Sequence, residues 1–157
     1  MSVSFAERPT HEHVLILDRV FDAPLPLVWR AWTDPRWLAR WWGPRGFTLP
    51  VCEQDLRPKG EYRFCMRAPD GSDHWVWGAY HEVIELKKLV FTWRRDDEDG
   101  LRVDLNNLVS IAFKAIGRRT HVNLHHSVFQ TIADCKDHRL GWSQSLDRLA
   151  EAIAPPV

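Results

Sequence analysis

The chain has 157 residues, the length of one ordinary domain, and 21 lysine and arginine residues balance 21 aspartate and glutamate residues. Surfaces for nucleic acid or anionic lipid need clustered positive charge, so this balance argues against both partners. No apolar run approaches the roughly 20 residues that cross a bilayer, and segment 1–10 lacks the apolar core of a signal peptide. Three cysteines without CxxC spacing indicate reduced thiols. We expect a single domain over residues 1–157, cytoplasmic and without membrane insertion.

The first predicted strand covers residues 13–23, where aliphatic and β-branched side chains dominate. Two short helices are predicted after it, separated by the helix-breaking pair Asp-Pro at 34–35. An apolar face at spacings of three and four residues indicates the first helix, and it consists of Val28, Ala31 and Trp32. The second helix is expected to end at the Gly-Pro pair at 43–44.

The middle of the chain consists of apolar segments separated by turn signals, as in a run of antiparallel strands. The predicted strands are 48–57, 61–67, 74–85, 89–95, 108–114 and 120–128. In the last two, apolar and polar residues alternate strictly, which is typical of a sheet with one buried face.

The last segment, 137–154, is predicted to be a helix about 27 Å long, enough to cross a whole sheet. Its apolar face has spacings of four, three and four residues and consists of Trp142, Leu146, Leu149 and Ile153. No strand–helix–strand alternation occurs, so a parallel sheet is not expected. The prediction is an α+β fold in which a curved antiparallel sheet of about six to seven strands wraps around the long C-terminal helix.

Short motifs follow one another along nearly the whole chain: Trp42-Gly43-Pro44, DLRPKG at 55–60, Gly78-Ala79-Tyr80, Phe91-Thr92-Trp93 and Gly141-Trp142. In order and spacing they resemble the family named for the activator of the heat-shock protein 90 ATPase. That resemblance implies the helix-grip fold of the START, birch-pollen-allergen and polyketide-cyclase (SRPBCC) superfamily, with an internal pocket for an apolar small molecule. The eukaryotic activators carry a separate chaperone-docking domain, so chaperone activation is not implied.

Tryptophan is the unusual part of the composition, with nine residues against two tyrosines. Tryptophan favours places where an apolar body meets a wet rim, so a dense core and a cavity wall are both consistent with this number. The residues predicted to bind a ligand between sheet and helix are Phe64, Met66, Trp77, Trp93, Val109, Ile111, Leu124, His126 and Trp142. The pair Trp41–Trp42 is instead expected to form a lid or a surface patch for a homodimer.

His126 is the main candidate for a polar role, because it shares a strand face with Leu124 and other apolar residues. One interpretation makes it a ligand contact or general base at the cavity wall, and the other makes it a core histidine satisfied by a hydrogen bond. His125 points to the opposite face, so the two cannot chelate a metal together. Tyr80 and Glu82 are weaker acid–base candidates. No catalytic residue, cofactor or metal site is predicted.

Three functions remain open. The first is non-enzymatic binding of a hydrophobic or aromatic small molecule in a cavity between the sheet and the C-terminal helix. The second is an enzyme with cyclase- or hydrolase-like acid–base chemistry on an aromatic or polyketide-like substrate, and the third is a chaperone-related protein-interaction module. The first is favoured because the sequence has no GxSxG motif and no phosphate-binding glycine loop. If the cavity is hollow at Ile111, Ile111→Trp is expected to be tolerated and to block the ligand.

Overall fold

The computed structural model describes residues 14–95, 107–127 and 131–154. Its strands are β1 (Leu15–Phe21), β2 (Thr48–Gln54), β3 (Glu61–Arg67), β4 (Asp73–Ile84), β5 (Lys88–Thr92), β6 (Arg94–Arg95), β7 (Leu108–Ile116) and β8 (Arg119–Ser127). Its helices are α1 (Leu25–Thr33), α2 (Pro35–Trp41) and α3 (Ile132–Ile153). The predicted strand ends at His13 and Val128 lie outside the described residues.

The strands form one antiparallel sheet in the order β1-β8-β7-β5-β4-β3-β2, and the two-residue strand β6 also pairs with β4. The sheet curls into a half-barrel with α3 packed against it, and two short helices follow β1. The predicted α+β helix-grip fold is therefore confirmed.

One predicted strand is interrupted at a position that matters for the site. Residues 89–95 form β5 and β6 with a break at Trp93, whose backbone N–H donates to the carbonyl of Asn107 at 2.9 Å. Because strand side chains alternate, Trp93 and Arg95 point to the concave face and Arg94 points to the outer face. Trp93 and Arg95 therefore belong to the concave side of the sheet, and Arg94 between them belongs to the outer side.

The two short helices begin where proline and a capping aspartate favour a helix start. Pro26 lies in the first turn of α1, and the Asp34 carboxylate accepts from the backbone N–H of Arg36 at 2.9 Å to cap α2. The indole N–H of Trp41 donates to the carbonyl of Ala31 at 2.9 Å, which turns this ring inward. Trp41 is inaccessible to solvent and Trp42 is 3% exposed. The exposed patch predicted for this pair is therefore not formed.

Helix α3 begins at Ile132, five residues earlier than predicted. The hydroxyl of Thr131 accepts from the backbone N–H of Asp134 at 3.0 Å and caps the helix at this earlier start. The predicted apolar face is confirmed, since Trp142, Leu146, Leu149 and Ile153 are all buried. Among the described helices, none has the length and apolar character needed to cross a membrane.

One part of the hydrophobic core lies between α1 and the strands β7 and β8. The rings of Trp29 and Trp32 meet the ring of Phe113 edge to face, with centroids 5.2 and 6.2 Å apart. Ile111 of β7 and Leu124 of β8 are paired in register, so they lie side by side on the same face of the sheet. Neither has exposed surface. This part of the space between sheet and helices is filled.

Candidate functional site

A cleft of about 220 Å³ lies between the α2–β2 loop, the β3–β4 hairpin, residues 93–95 and the first half of α3. Three indole rings line one side of it, with centroids 5.3 to 6.2 Å apart and 3–7% of each residue exposed: Trp42, Trp93 and Trp142, called here the tryptophan wall. Phe47 and Met66 add further apolar surface. Polar side chains border the cleft at His74, Arg95, Asp137, His138 and Ser145.

The α2–β2 loop is held against α3 by Arg148. Its guanidinium donates to the carbonyls of Trp42, Gly43 and Pro44 at 3.3, 2.9 and 3.1 Å. Partial burial lowers the pKa of Arg148, with the charge of Arg45 nearby as a second cause. Three carbonyls on one guanidinium fix the position of the loop, and with it one side of the cleft.

Trp93 is oriented by a histidine on α3. Its indole N–H donates to Nε2 of His138 at 3.3 Å, so this nitrogen carries no proton. The other ring nitrogen, Nδ1, is 2.9 Å from the carbonyl of Asp134 and 3.4 Å from its carboxylate, and it donates to them. The Asp134 carboxylate also accepts from Arg95 at 3.0 Å. Trp93, which directly follows β5, is thereby fixed to the first turns of α3.

Trp142 is oriented in the same way by a histidine of the sheet. Its indole N–H donates to Nδ1 of His126 at 3.0 Å, and Nε2 of His126 donates to the side-chain oxygen of Asn107 at 2.6 Å. These two bonds require the neutral imidazole with its proton on Nε2. Burial lowers the pKa of His126 well below 6.5, and unfavourable electrostatic interaction of its charged form with the neighbouring His138 and Arg95 lowers it further. His126 is therefore neutral at pH 7.

The two Trp–His hydrogen bonds decide what the cleft offers to a ligand. Both indole N–H groups are satisfied inside the protein, so Trp93 and Trp142 present ring surface and no donors. At Gly141, a Cβ would lie 3.8 Å from Cγ of Pro44, so the missing side chain leaves space between α3 and the α2–β2 loop. The result is an apolar slot with its charged groups at the border.

The structure brings some of the predicted ligand-binding residues together at this cleft. Met66, Trp93 and Trp142 line it. Phe64 lies behind Trp42, with ring centroids 4.9 Å apart, and His126 lies behind Trp93 and Trp142 with no exposed surface. The position of His126 matches the interpretation as a core histidine, although it makes two hydrogen bonds rather than one.

The other predicted residues lie elsewhere. Val109, Ile111 and Leu124 belong to the filled core, because α1 covers the concave face of β7 and β8 at this end. Trp77 is on the outer face of the sheet, one position after the buried Val76. Strand alternation shows that Trp77 and Val76 face opposite sides of the sheet, but it does not show which of the two sides is concave.

Several residues of the cleft were not predicted. His138 precedes Trp142 by four positions on α3, so the same helix-face spacing that selected Trp142 would have selected it. Arg95 lies two residues after Trp93, so strand alternation would have placed it on the same face and selected it as well. Phe47 and Pro44 come from a loop, for which periodicity gives no signal.

The weaker acid–base candidates do not lie at the cleft. Tyr80 is buried, and its hydroxyl accepts from the Gln54 amide at 2.8 Å. Its pKa is raised, first because of burial. Glu82 is exposed and lies 3.5 Å from the ammonium of Lys88.

Comparison with known proteins gives a consistent result. Residues 22–154 match the family described as activator of Hsp90 ATPase homolog 1-like protein. A crystal structure of a protein from Chromobacterium violaceum is 31% identical, covers 92% of this chain and 99% of its own, and superposes with a TM-score of 0.83. An AHSA1 protein from Silicibacter pomeroyi is 26% identical, with 90% and 97% coverage and a TM-score of 0.79.

A third structure, from Nitrosomonas europaea, is 27% identical over 90% of this chain and 94% of its own, with a TM-score of 0.75. No curated protein matches the chain. Since the family match covers residues 22–154, the chain belongs to the activator of Hsp90 ATPase homolog 1-like family.

Proposed function

We propose that the protein binds a small aromatic or hydrophobic molecule in the cleft and acts as a binding protein rather than as an enzyme. The observation that carries this proposal is the tryptophan wall, in which Trp93 and Trp142 line the cleft and have their N–H groups satisfied by histidines, so that they offer a ligand ring carbon and no donor. Aromatic rings in offset or edge-to-face contact gain about 0.5–1.5 kcal/mol beyond the area they bury. A flat apolar ligand gains this at each ring it touches.

The size of the cleft limits the ligand. An apolar cavity of about 150 Å³ holds one benzene molecule in a well-studied protein. The cleft has about 220 Å³, which corresponds to one ring with substituents or two fused rings. Ligand sites typically combine apolar walls with a few polar groups that fix orientation. Arg95 and Asp137 at the border are placed for that role.

The fold supports the same proposal. A curved sheet that holds a single helix leaves space where small helix residues face it, and Gly141 and Ser145 are such residues in α3. The cysteines of the described chain, Cys52, Cys65 and Cys135, form no disulfide, as expected for a protein of the reducing cytoplasm. The proposed ligand is therefore one that is available in that compartment.

The test uses 1-aminonaphthalene, a neutral two-ring probe that fits this volume. Titration of the protein should quench or shift tryptophan fluorescence saturably, because the probe stacks on the tryptophan wall. Gly141→Leu should lower the affinity by at least about tenfold, since its side chain grows into the space beside Pro44.

The matched control is Ala133→Leu, which introduces the same side chain at an exposed position of α3 that does not line the cleft. It should bind the probe as the parent does. Absence of saturable binding to the folded parent would rule out the proposal for ligands of this size. Equal affinities of the parent and Gly141→Leu would show that the probe binds at another place.

A further inference from the structure

A second concave surface lies on the outer face of the sheet, opposite the cleft. This outer depression, about 830 Å³ in volume, is formed by the outer side of β2, β3, β4 and β6. The strand register places Glu53, Arg63, Trp77 and Arg94 in one row across it, since Glu53 pairs with Arg63, Arg63 with Trp77, and Trp77 with Arg94. Two guanidinium groups therefore flank one half-buried indole ring.

The two arginines of this row differ in their partners. Arg63 donates to the Glu53 carboxylate at 3.2 Å and lies over the ring of Trp75, with its Cζ 4.6 Å from the centroid. Arg94 forms no hydrogen bond or ion pair among the described residues, and its Nε is buried without a partner. A buried donor with no acceptor is destabilising, and such groups in native proteins usually mark a bound water or ion.

The carboxylates of the outer depression do not neutralise Arg94. Glu53 is paired with Arg63, and Asp55 with Arg57 at 2.9 Å. Glu61 pairs in register with Ala79 and not with Trp77, so it lies diagonally across β4 from Arg94. Arg63 and Arg94 are two strands apart, or about 10 Å, so a small anion beside Arg94 is attracted by both.

We propose that Arg94 binds an oxyanion, the carboxylate or phosphate group of a small molecule, in the outer depression beside Trp77. The planar guanidinium matches both groups, because its Nε–H and one terminal N–H form a fork for two oxygens. Trp77 supplies a ring surface for the apolar part of the same molecule. This site is separate from the cleft and does not depend on the function proposed there.

The experiment observes the Nε–H resonance of Arg94 by ¹H–¹⁵N NMR, since burial slows its exchange with water. Sodium benzoate and sodium phosphate are titrated separately, with ionic strength held constant by sodium chloride. A saturable shift with a millimolar midpoint is expected for at least one of them. Saturation by benzoate alone identifies a carboxylate site, and saturation by phosphate identifies a phosphate site. A shift that is absent or strictly linear with both salts overturns the proposal.

Variants are followed through the indole N–H resonance of Trp77. Arg94→Gln should weaken binding by about tenfold or more, because a charge-assisted bond is lost. Arg94→Lys keeps the charge and loses the fork, so it should weaken binding by a smaller factor. The control Arg63→Gln removes the other guanidinium of the row, which is already paired, and should change the midpoint by about threefold or less. Unchanged binding in Arg94→Gln overturns the assignment to Arg94.

Discussion

The space between the sheet and the helices differs at its two ends. Under α1, the concave face of β7 and β8 is filled, and Ile111 and Leu124 have no exposed surface. Under the first half of α3, the concave face of β3 and β4 borders the cleft. Both ends are rich in tryptophan, so aromatic content alone does not make a cavity. The difference comes from α3, which has glycine and serine at 141 and 145 where α1 has tryptophan at 29 and 32.

Loss of bulk at the filled end is expected to have the largest effect on stability. Ile111→Ala should lower the free energy of unfolding by about 2–5 kcal/mol, because the neighbours collapse only partly into the space left behind. Met66→Ala, at the open end, should lower it by less, since a half-buried side chain there already borders open space. Urea denaturation of both variants measures this. Equal losses would contradict the division into a filled and an open end.

A larger side chain at Ile111 also tests whether this end of the space is filled. Ile111→Trp should cost about 1–3 kcal/mol or more, because a packed core must move side chains off their rotamers to admit the ring. This reverses the sequence-based expectation of a hollow space at Ile111. A variant with the thermal midpoint of the parent and no probe binding would restore that expectation.

Acid should lower the free energy of unfolding through His126, which lies behind Trp142 and holds it in place. The folded pKa of His126 lies well below 6.5, whereas in the unfolded chain it takes the ordinary value near 6.5. Below pH 6.5 the unfolded chain therefore binds a proton that the folded protein does not. Stability should fall as the pH drops, by at most about 1.4 kcal/mol per pH unit from this residue.

The free energy of unfolding measured between about pH 7 and pH 5 tests this. His126→Gln should remove part of the slope, and His125→Gln, on the opposite face of β8, should retain it. The same slope in the parent and in His126→Gln would show that other groups cause it.

A methyl group at Gly141 should change the free energy of unfolding by less than the substitutions at Ile111, and it should stabilise the protein. In a helix interior glycine is about 0.5–1 kcal/mol less favourable than alanine, and a Cβ at this position meets Pro44 at an ordinary contact distance of 3.8 Å. Gly141→Ala should therefore raise the free energy of unfolding by about that amount. A loss of stability would show that α3 and the α2–β2 loop are in closer contact than the structure indicates.

The smallest effect is expected from reductant. None of the three cysteines forms a disulfide, so the melting temperature should be the same in air and with dithiothreitol. Burial raises the pKa of Cys52 to about 12, with the charge of Asp34 as a second cause, so its thiol should be alkylated slowly at neutral pH. A melting temperature that depends on reductant would contradict this.

Much of the fold follows from local patterns in the sequence. The run of predicted antiparallel strands and the apolar face of α3 led to the α+β prediction, and the family resemblance implied the helix-grip fold. The start of α3 was predicted too late because the capping Thr131 does not stand out among the polar residues before the helix. Trp41 and Trp42 were predicted to form a lid or a surface patch because exposed apolar patches often mark interaction sites, but both are buried, Trp41 within α2 and Trp42 just after it.

The site was less predictable, for a physical reason. Periodicity shows which side chains share a face, and it correctly gave Met66, Trp93 and Trp142 one concave surface. It does not show what covers that face at each point, which is why Val109, Ile111 and Leu124 were included. Coverage depends on where α1 crosses the sheet, and no local pattern encodes that position.

The bonds of Arg148 to three loop carbonyls also bear on the kinetics of the proposed ligand binding. Together with the Trp–His bonds, they place the walls of the cleft before any ligand arrives. A receptor prepared in this way loses little conformational entropy when it is occupied, and its association rate is not limited by a rearrangement of these walls. Ligands of similar size should then differ mainly in residence time, with association rate constants close to one another.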